Sequence, residues 1–302
     1  MLPFIAYHPI WAHPLPEGHR FPMLKYELVP EQLLYEGSVT ADAIYAPPPL
    51  DEEAILRTHA ADYWDRMKSL QLTDREMRAI GFPLSAGLVE REMRIVCGTL
   101  WCARQSEKTG VALNVAGGTH HAFADRGEGF CLLNDFAIAA NEILRENSNE
   151  RILICVVDVH QGNGTAALLQ HEPRAFTFSM HGAHNYPFRK ERSDLDIGLP
   201  DGTDGPTYLR ILRENLPRLV EEFKPTRLFY LSGVDVIDTD KYGKLKLTIA
   251  ECRARDEYVF GLAKKHSLPC AVAMGGGYSA DVKRIVEAHC NTFRAARETF
   301  GL

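Results

Sequence analysis

The chain has 302 residues, a formal net charge of −6 and an apolar fraction of 45%. A chain of this length can bury a large core, in one α/β domain or in two smaller ones. The negative charge argues against a broad surface for nucleic acid or acidic lipid. No stretch reaches the roughly 20 apolar residues of a transmembrane helix, and the first residues lack the pattern of a signal peptide. We therefore expect neither nucleic acid nor a membrane as a partner.

The seven cysteines are scattered singly, without a Cys-x-x-Cys pair. This spacing is typical of reduced thiols that fill a core rather than of disulfides or a structural zinc site. It predicts a cytoplasmic protein.

Apolar, β-rich runs alternate with helical patterns along the chain. The predicted strands are residues 5–7, 43–45, 112–115, 152–159, 175–180, 228–232 and 270–274. The predicted helices are residues 88–106, 135–146, 208–223, 250–265 and 281–297. Thr248, with Glu251 three places on, forms a capping box before the fourth of these helices.

The alternation of strands and helices predicts an α/β protein with three layers, α/β/α, around a mostly parallel sheet. The run ILICVVDV (residues 152–159) is nearly all apolar. Such a run is expected for a strand that helices cover on both faces. Because no repeat, linker or low-complexity tract divides the chain, we predict a single domain over residues 1–302.

Polar, glycine-containing segments follow four of the predicted strands. They are GGTHHAF (residues 117–123), DVHQGNGT (158–165), GVD (233–235) and GGGY (275–278). In open parallel sheets, ligands bind beyond the carboxyl ends of the strands. We therefore expect these segments to converge on one crevice.

Asp158 and His160 stand two residues apart, so on an extended strand they share one face. With Asp235 arriving from another strand, they offer the three ligands of a catalytic zinc site, which leaves a position for water. Such an ion can lower the pKa of that water to about 7. The alternative, that Asp158 caps a helix and His160 is a core histidine, stays open on these residues alone.

His120 and His121 are adjacent and follow Gly117 and Gly118, which allow a sharp backbone bend. A water that attacks a carbonyl needs a base, and the leaving amine needs an acid, roles that imidazoles can fill. Tyr278 follows three glycines, and its phenol could donate to a developing oxyanion. The alternatives are a histidine pair bonded to backbone carbonyls and a simple glycine turn. Neither GGGYSAD nor GNGT matches a nucleotide-binding motif.

Six motifs occur in the order GGTHHA, GEGFCLLND, DVHQGNGT, FSMHG, SGVD and GGGYS. In this order they resemble the zinc-dependent histone deacetylase family of the arginase–deacetylase superfamily, which also contains acetylpolyamine amidohydrolases. DVHQGNGT and LPEGHRFPMLKYEL are similar to the class IV-type, mainly bacterial branch. The resemblance runs from about Tyr7 to the C-terminus and implies the arginase–deacetylase fold.

The resemblance implies that Asp158, His160 and Asp235 bind Zn²⁺. It implies that His120 and His121 act as the base and acid pair, with His121 nearer the leaving nitrogen. The implied reaction is removal of an acetyl or longer acyl group from an acyl-lysine peptide or protein, or from a small acylated amine. Two alternatives stay open, an acetylpolyamine or small-amide deacetylase and a zinc-containing binding protein with impaired catalysis.

By the same resemblance, Tyr278 polarises the amide carbonyl, and Phe130 and the Gly129 carbonyl line the acyl tunnel. Tyr186 or Phe188 supplies the opposite wall, and Arg20 borders an internal channel behind the zinc. The expected substrate-binding residues are Gly129, Phe130, Tyr186, Gly276 and Arg20. Glu17 and Asp125 are the acidic candidates near a polyamine-binding mouth, although an ordinary solvated role is expected for both.

One position departs from the family pattern. The family has Asp two places before the first zinc-binding Asp, where it helps to bind a structural potassium ion and accepts a hydrogen bond from the first tandem histidine. Here that position is Val156. Losing such a supporting partner typically costs 10–100-fold in metal affinity or activity. We therefore expect a weakened or absent potassium site and a His120 with less cationic character.

Overall fold

The computed structural model describes residues 2–302. Within these residues the eight strands are β1 (Ile5–Ala6), β2 (Ile44–Tyr45), β3 (Val111–Asn114), β4 (Ile152–Val156), β5 (Ala175–Gly182), β6 (Leu195–Leu199), β7 (Arg227–Gly233) and β8 (Cys270–Gly275). They form one sheet in the order β2-β1-β3-β8-β7-β4-β5-β6. Every neighbouring pair is parallel.

Ten α-helices lie in the same described residues. They are α1 (Lys25–Tyr35), α2 (Glu52–Leu56), α3 (Ala61–Lys68), α4 (Asp74–Ile80), α5 (Ala86–Thr109), α6 (Asp135–Glu146), α7 (Asn163–Leu169), α8 (Gly205–Phe223), α9 (Ile249–Lys265) and α10 (Val282–Phe300). Helix α5 packs against α6, whereas α10 packs against α1 and α9, and α8 packs against α9. Two helical layers therefore enclose the sheet, which confirms the predicted α/β/α class.

The strands at the centre of the sheet are buried along their whole length. All residues of β4 and β7 are buried, as expected where helices cover both faces of a parallel sheet. The cysteines follow the same pattern, because all seven are unpaired and only Cys97 is not fully buried. Within residues 2–302, none of the helices combines the length and the apolar character needed to cross a membrane.

Helix boundaries follow the capping chemistry of the sequence. Helix α5 begins after Ser85, whose hydroxyl accepts from the Leu88 amide, and ends at Gly110 with φ +78°. The Thr248 capping box is present at α9, and α6 has the predicted bounds. The positions of these helix ends depend on residues that are close in the sequence, because a cap satisfies backbone groups within one turn.

Six elements of the described residues are not predicted from the sequence: α1, α2, α3, α4, α7 and β6. For α1 and β6 the reason is identifiable. Helix α1 contains Pro30 and has no side-chain cap, and a proline inside a helix normally argues against one. Strand β6 lies at the edge of the sheet and includes Asp196 and Gly198, residue types that are depleted in strands. The prediction for residues 152–159 is also wrong at its end, because β4 stops at Val156.

Replacing Thr248 by alanine tests the cap of α9. Its hydroxyl accepts from the Glu251 amide and donates to the Glu251 carboxylate, so its loss should lower the free energy of unfolding by about 1 kcal/mol. Urea unfolding followed by circular dichroism measures this change. The matched control is Glu251→Gln, which keeps a hydrogen-bond acceptor on a side chain of the same length. It should lower the free energy of unfolding clearly less than Thr248→Ala does. Equal losses in the two variants would contradict the role given to the hydroxyl.

Candidate active site

The four polar segments follow the four central strands. Strands β3, β8, β7 and β4 are consecutive neighbours in the sheet, and their carboxyl ends lead into the histidine pair, Tyr278, Asp235 and Asp158. All of these side chains line one cavity with His160. The expected convergence on one crevice is therefore confirmed, and it follows from parallel strands ending at a common edge.

Asp158, His160 and Asp235 form a compact cluster. One ligand atom from each lies within 4.8 Å of the other two. The Nδ1 atom of His160 is 3.0 Å from a carboxylate oxygen of Asp158 and 3.0 Å from one of Asp235. All three residues are buried. One nitrogen and two oxygen donors at this spacing match the ligand set of a divalent ion such as zinc.

The geometry between Asp158 and His160 differs from that of the predicted strand. Pairing of β4 with β5 and β7 ends at Val156. The chain then turns, and the His160 amide donates to Oδ1 of Asp158 at 2.8 Å. Strand alternation is therefore the wrong explanation for why Asp158 and His160 meet. A carboxylate-bonded turn brings them together instead.

Arg255, from α9, fixes the backbone just before both carboxylates. Its Nη1 donates to the carbonyls of Val157, at 3.1 Å, and Gly233, at 2.5 Å. The Tyr208 hydroxyl donates to the same Val157 carbonyl at 3.1 Å. Arg255 is fully buried and pairs with Asp256 at 2.8 Å. The ends of β4 and β7 are thus pinned to each other by a buried guanidinium, a donor well suited to several acceptors at once.

The two buried carboxylates carry an electrostatic cost. Burial, and then the charge of Asp158, raise the pKa of Asp235 to about 6. Burial lowers the pKa of His160, but Asp235 and Asp158 outweigh it and raise that pKa to about 10. Oδ2 of Asp235 is buried and lies 3.0 Å from His160 Nδ1, without the alignment of a hydrogen bond. A buried carboxylate oxygen without a hydrogen bond, beside a second carboxylate, calls for a cation, so the residues fit a divalent metal.

The two tandem histidines lie side by side, with ring centroids 4.1 Å apart. His121 Nδ1 is 2.6 Å from the side-chain oxygen of Asn163, so this nitrogen carries the proton and Nε2 keeps its lone pair. Burial, and then the charges of neighbouring imidazoles, lower the pKa of His121 well below its usual value. For His120, burial and then His160 and His181 lower the pKa to about 3.

His120 lacks the corresponding partner. Its Nδ1 is buried without a hydrogen bond. A Cβ built on Gly162 would lie 3.2 Å from a methyl carbon of Val156 and 3.6 Å from this nitrogen, so valine and imidazole border the same small space. The expected loss of cationic character at His120 agrees with this arrangement, because a methyl group can neither accept a proton nor stabilise a charge.

Tyr278 is held by its backbone. Its amide donates to Asp240 at 2.6 Å, and it follows Gly276 and Gly277, which have φ +59° and +89°. A Cβ on Gly276 would lie 2.1 Å from Oδ2 of Asp235, so only glycine fits there. Burial, and then the charges of Asp235 and Asp158, raise the pKa of the Tyr278 phenol well above its usual value, which keeps it protonated as a donor.

Lys25 is a site residue that the sequence analysis missed. It is buried at 2% exposure, donates to the Gly276 carbonyl, and its ammonium lies 5.4 Å from the ring centroid of Tyr278. Burial lowers the Lys25 pKa to about 8, although Asp235 and other carboxylates raise it. The only sign of this role in the sequence is that the lysine stands within the largely apolar stretch FPMLKYEL. Exposed lysines also occur in such stretches, so the pattern does not distinguish a buried lysine from an exposed one.

The predicted tunnel residues lie on two walls. Phe130 packs against Phe21 with ring centroids 4.9 Å apart, on a backbone with φ +68° that follows Gly129 at φ +53°. On the other side, the Tyr186 ring stands edge-on to His121 at 4.9 Å, and its hydroxyl donates to Glu128 at 2.9 Å. Of the two candidates for the opposite wall, Tyr186 and Phe188, Tyr186 is therefore the one that lies against the candidate active site.

Arg20 and Phe188 lie further out. Arg20 is exposed and stacks on the Phe130 ring at 5.1 Å, so its expected position behind the metal site is wrong. The buried guanidinium that lines the inner cavity is Arg91. Phe188 is 91% exposed and lines the outer cavity with Arg20. Arg20 stays a predicted substrate-binding residue, but at the entrance.

Comparisons with known proteins identify the family of the chain. The histone deacetylase domain model matches residues 19–293. The chain belongs to the histone deacetylase family. It is 42% identical over 296 residues to an uncharacterized protein of Picosynechococcus, covering 98% of this chain and 99% of that protein. It is 30% identical over 278 residues to histone deacetylase 2 of Arabidopsis thaliana, covering 89% of this chain and 72% of that one.

More distant relatives extend the comparison. Human histone deacetylase 1 is 27% identical over 302 residues, covering 93% of this chain but 61% of the longer human protein. The crystal structure of an HDAC homolog from Aquifex aeolicus superimposes with a TM-score of 0.83 at 20% sequence identity, covering 99% of this chain and 88% of that one. The shared fold is the arginase–deacetylase fold, and the family and fold together support an amide or acyl hydrolase.

The Lys25→Met variant tests whether this lysine positions Tyr278. Methionine keeps the length of the side chain but cannot donate a hydrogen bond to the Gly276 carbonyl. The segment that carries Tyr278 (residues 275–278) should therefore shift. As a result, kcat on an acetyl-lysine peptide should fall by up to about 100-fold. KM and zinc content should change little. The double variant with Tyr278→Phe should lose little more than Tyr278→Phe alone, because both changes act on one hydroxyl. Fully additive losses would contradict this coupling.

Proposed function

We propose that this protein is a zinc-dependent amidohydrolase that removes acyl groups from N-acyl-lysine or related amides. The observation that carries the proposal is the meeting of three features in one cavity: the Asp158–His160–Asp235 cluster, the histidine pair and Tyr278. Family membership supports an acyl hydrolase. The donor set of one imidazole and two carboxylates supports zinc.

Asp158, His160 and Asp235 would hold the zinc. When bound, zinc supplies a Lewis acid for a carbonyl oxygen and lowers the pKa of water that it binds. The charge of the two carboxylates, one of which raises the pKa of the other, favours occupation by a cation.

The histidine pair provides proton transfer. His121 keeps its Nδ1 proton on Asn163, so Nε2 can take a proton from an attacking water and later give one to the leaving nitrogen. His120 packs against it at 4.1 Å and has no partner for Nδ1. Because burial lowers the pKa of both rings, both begin neutral, the state in which an imidazole acts as a base.

Tyr278 provides the hydrogen-bond donor for the amide oxygen. Its phenol stays protonated because burial raises its pKa, and a donor held in a fixed position stabilises a developing oxyanion. Asp240 accepts from the Tyr278 amide, and Lys25 holds the Gly276 carbonyl two residues earlier. Gly129, Phe130 and Tyr186 would flank the alkyl chain of the amine.

Two variants test the reaction with an acetyl-lysine peptide. Tyr278→Phe should retain zinc but lose about 10²–10³-fold in kcat, and Asp158→Ala should lose both the metal and the activity, measured by elemental analysis and turnover. Tyr35→Phe, a matched change at an 89% exposed tyrosine, should leave both unchanged. Zinc-loaded protein that binds acyl-lysine peptides yet turns over no member of a broad acyl panel would favour the alternative of a binding protein.

We also propose that no potassium ion supports this site. Val156 offers methyl groups where family members have a carboxylate, so the residues do not fit the ion. Turnover in potassium, sodium and choline chloride at equal ionic strength should agree within about twofold, whereas the loss of a supporting partner on which activity depends costs 10–100-fold. Val156→Asp should introduce a potassium response. Strong activation of the unmodified protein by potassium would refute the proposal.

The cytoplasmic location stays a prediction and is proposed here on the cysteines. All seven are unpaired, and six are buried, the state that a reducing compartment preserves.

A further inference from the structure

The active site opens into an outer cavity of about 490 Å³, which we call the mouth. Its lining includes two permanent cations, Arg20 and Lys244, together with His184. No carboxylate is among its lining residues within the described part of the chain. This is notable on a chain whose net charge is −6, because a cleft lined by one sign of charge concentrates ligands of the opposite sign.

The acids nearest the mouth are already engaged. Asp201 lies 3.2 Å from His184 and 3.5 Å from Lys244. The Glu128 carboxylate accepts from Arg126 at 2.8 Å and from Tyr186 at 2.9 Å. These acids therefore have limited capacity to bind a cationic substrate, and a second cation would have to displace the partners they hold.

Arg20 is the cation most available to a ligand. It is exposed, and its guanidinium lies 5.1 Å from the Phe130 ring centroid. Among residues 2–302, no carboxylate forms an ion pair with it. A guanidinium oriented by an aromatic face and lacking an acidic partner is well suited to bind a carboxylate.

The remaining wall of the mouth is apolar and exposed. Phe188 is 91% exposed and Tyr242 is 39% exposed, and both line the cavity. Large exposed aromatic groups beside a cleft are typical of a surface that contacts a chain or another large ligand.

We propose that the mouth selects acyl-lysine segments that carry carboxylates next to the acylated residue, and that it disfavours polycationic amines. This inference rests on the proposed amidohydrolase function and names its substrate class. Arg20, which has no acidic partner among the described residues, attracts an acidic peptide. Lys244 contributes where a peptide carboxylate competes with Asp201, which lies 3.5 Å from it. Phe188 and Tyr242 contact the apolar parts of the peptide. An acetylpolyamine would place its other ammonium groups close to these same cations, and contacts between like charges at an interface are unfavourable.

Three acetyl-lysine peptides of equal length test the proposal, with Glu, Gln or Lys at the flanking positions, alongside N-acetylspermidine. At about 20 mM salt, kcat/KM should be about 3–10-fold higher for the Glu peptide than for the Lys peptide, since each exposed ion pair contributes little. The ratio should approach one at about 0.5 M salt, where exposed charges are screened. N-acetylspermidine should be the poorest substrate.

The double variant Arg20→Gln/Lys244→Gln should bring the Glu-to-Lys ratio close to one. Its matched control is Lys108→Gln/Lys265→Gln, which removes the same charge near the ends of α5 and α9, before β3 and β8 begin at the opposite edge of the sheet. This control should keep the ratio of the unmodified protein. A ratio near one in the unmodified protein, or faster turnover of the Lys peptide or N-acetylspermidine, would overturn the proposal.

A binding measurement separates failure of the mouth from failure of the proposed reaction. Fluorescence anisotropy of the same labelled peptides on zinc-loaded Tyr278→Phe protein requires no turnover. The Glu peptide should bind more tightly than the Lys peptide, and this preference should be lost in the triple variant that adds Arg20→Gln and Lys244→Gln. That result supports the proposed selectivity of the mouth even if no peptide is hydrolysed. Equal binding of the three peptides overturns it whether or not hydrolysis occurs.

Discussion

Two buried aspartates beside one histidine are the constraint on which this structure depends. Asp158 and Asp235 leave separate strands and face the same imidazole at 3.0 Å. Buried carboxylates of like charge are unfavourable unless a cation or hydrogen bonds offset them. Arg255 holds the backbone before each carboxylate, while the His160 imidazole at 3.0 Å and the Val159 amide at 2.9 Å offset part of the charge of Asp235. The charge that these groups leave uncompensated is the feature that fits a divalent cation.

The cluster also dictates how tightly the surrounding loops must pack. A Cβ on Gly118 would lie 2.4 Å from the Met274 carbonyl, and one on Gly276 would lie 2.1 Å from Asp235. Gly118 therefore lets the histidine segment (residues 117–123) pack against the end of β8, and Gly276 lets the segment before Tyr278 pack against Asp235. Lys25 ties that second segment to α1. The polar groups that follow four strands thus share one tightly packed frame.

Two features distinguish the surroundings of this frame: the partners of the two histidines and the mouth. Asn163 gives His121 Nδ1 a neutral oxygen, and His120 Nδ1 has no hydrogen-bond partner in the described part of the chain, so neither nitrogen is bonded to a carboxylate. The mouth is lined by Arg20, Lys244 and His184 and, within the described residues, by no carboxylate. Both features concern the surroundings of the Asp158–His160–Asp235 cluster.

The sequence alone determined the class of the fold and which polar segments meet in the inner cavity, but not Lys25 or Arg91. Apolar strands such as β4, the cap of α9 and glycines at strand ends are local signals, and four strand ends of a parallel sheet must meet at one edge. Only the tertiary structure decided what depends on residues distant in sequence. Helix α1 forms despite Pro30 because it packs on α10. Lys25 enters the site with that helix, while Arg20, five residues earlier, remains outside. Hydrophobic periodicity reports which residues are buried, but it does not report which cavity a buried charge faces.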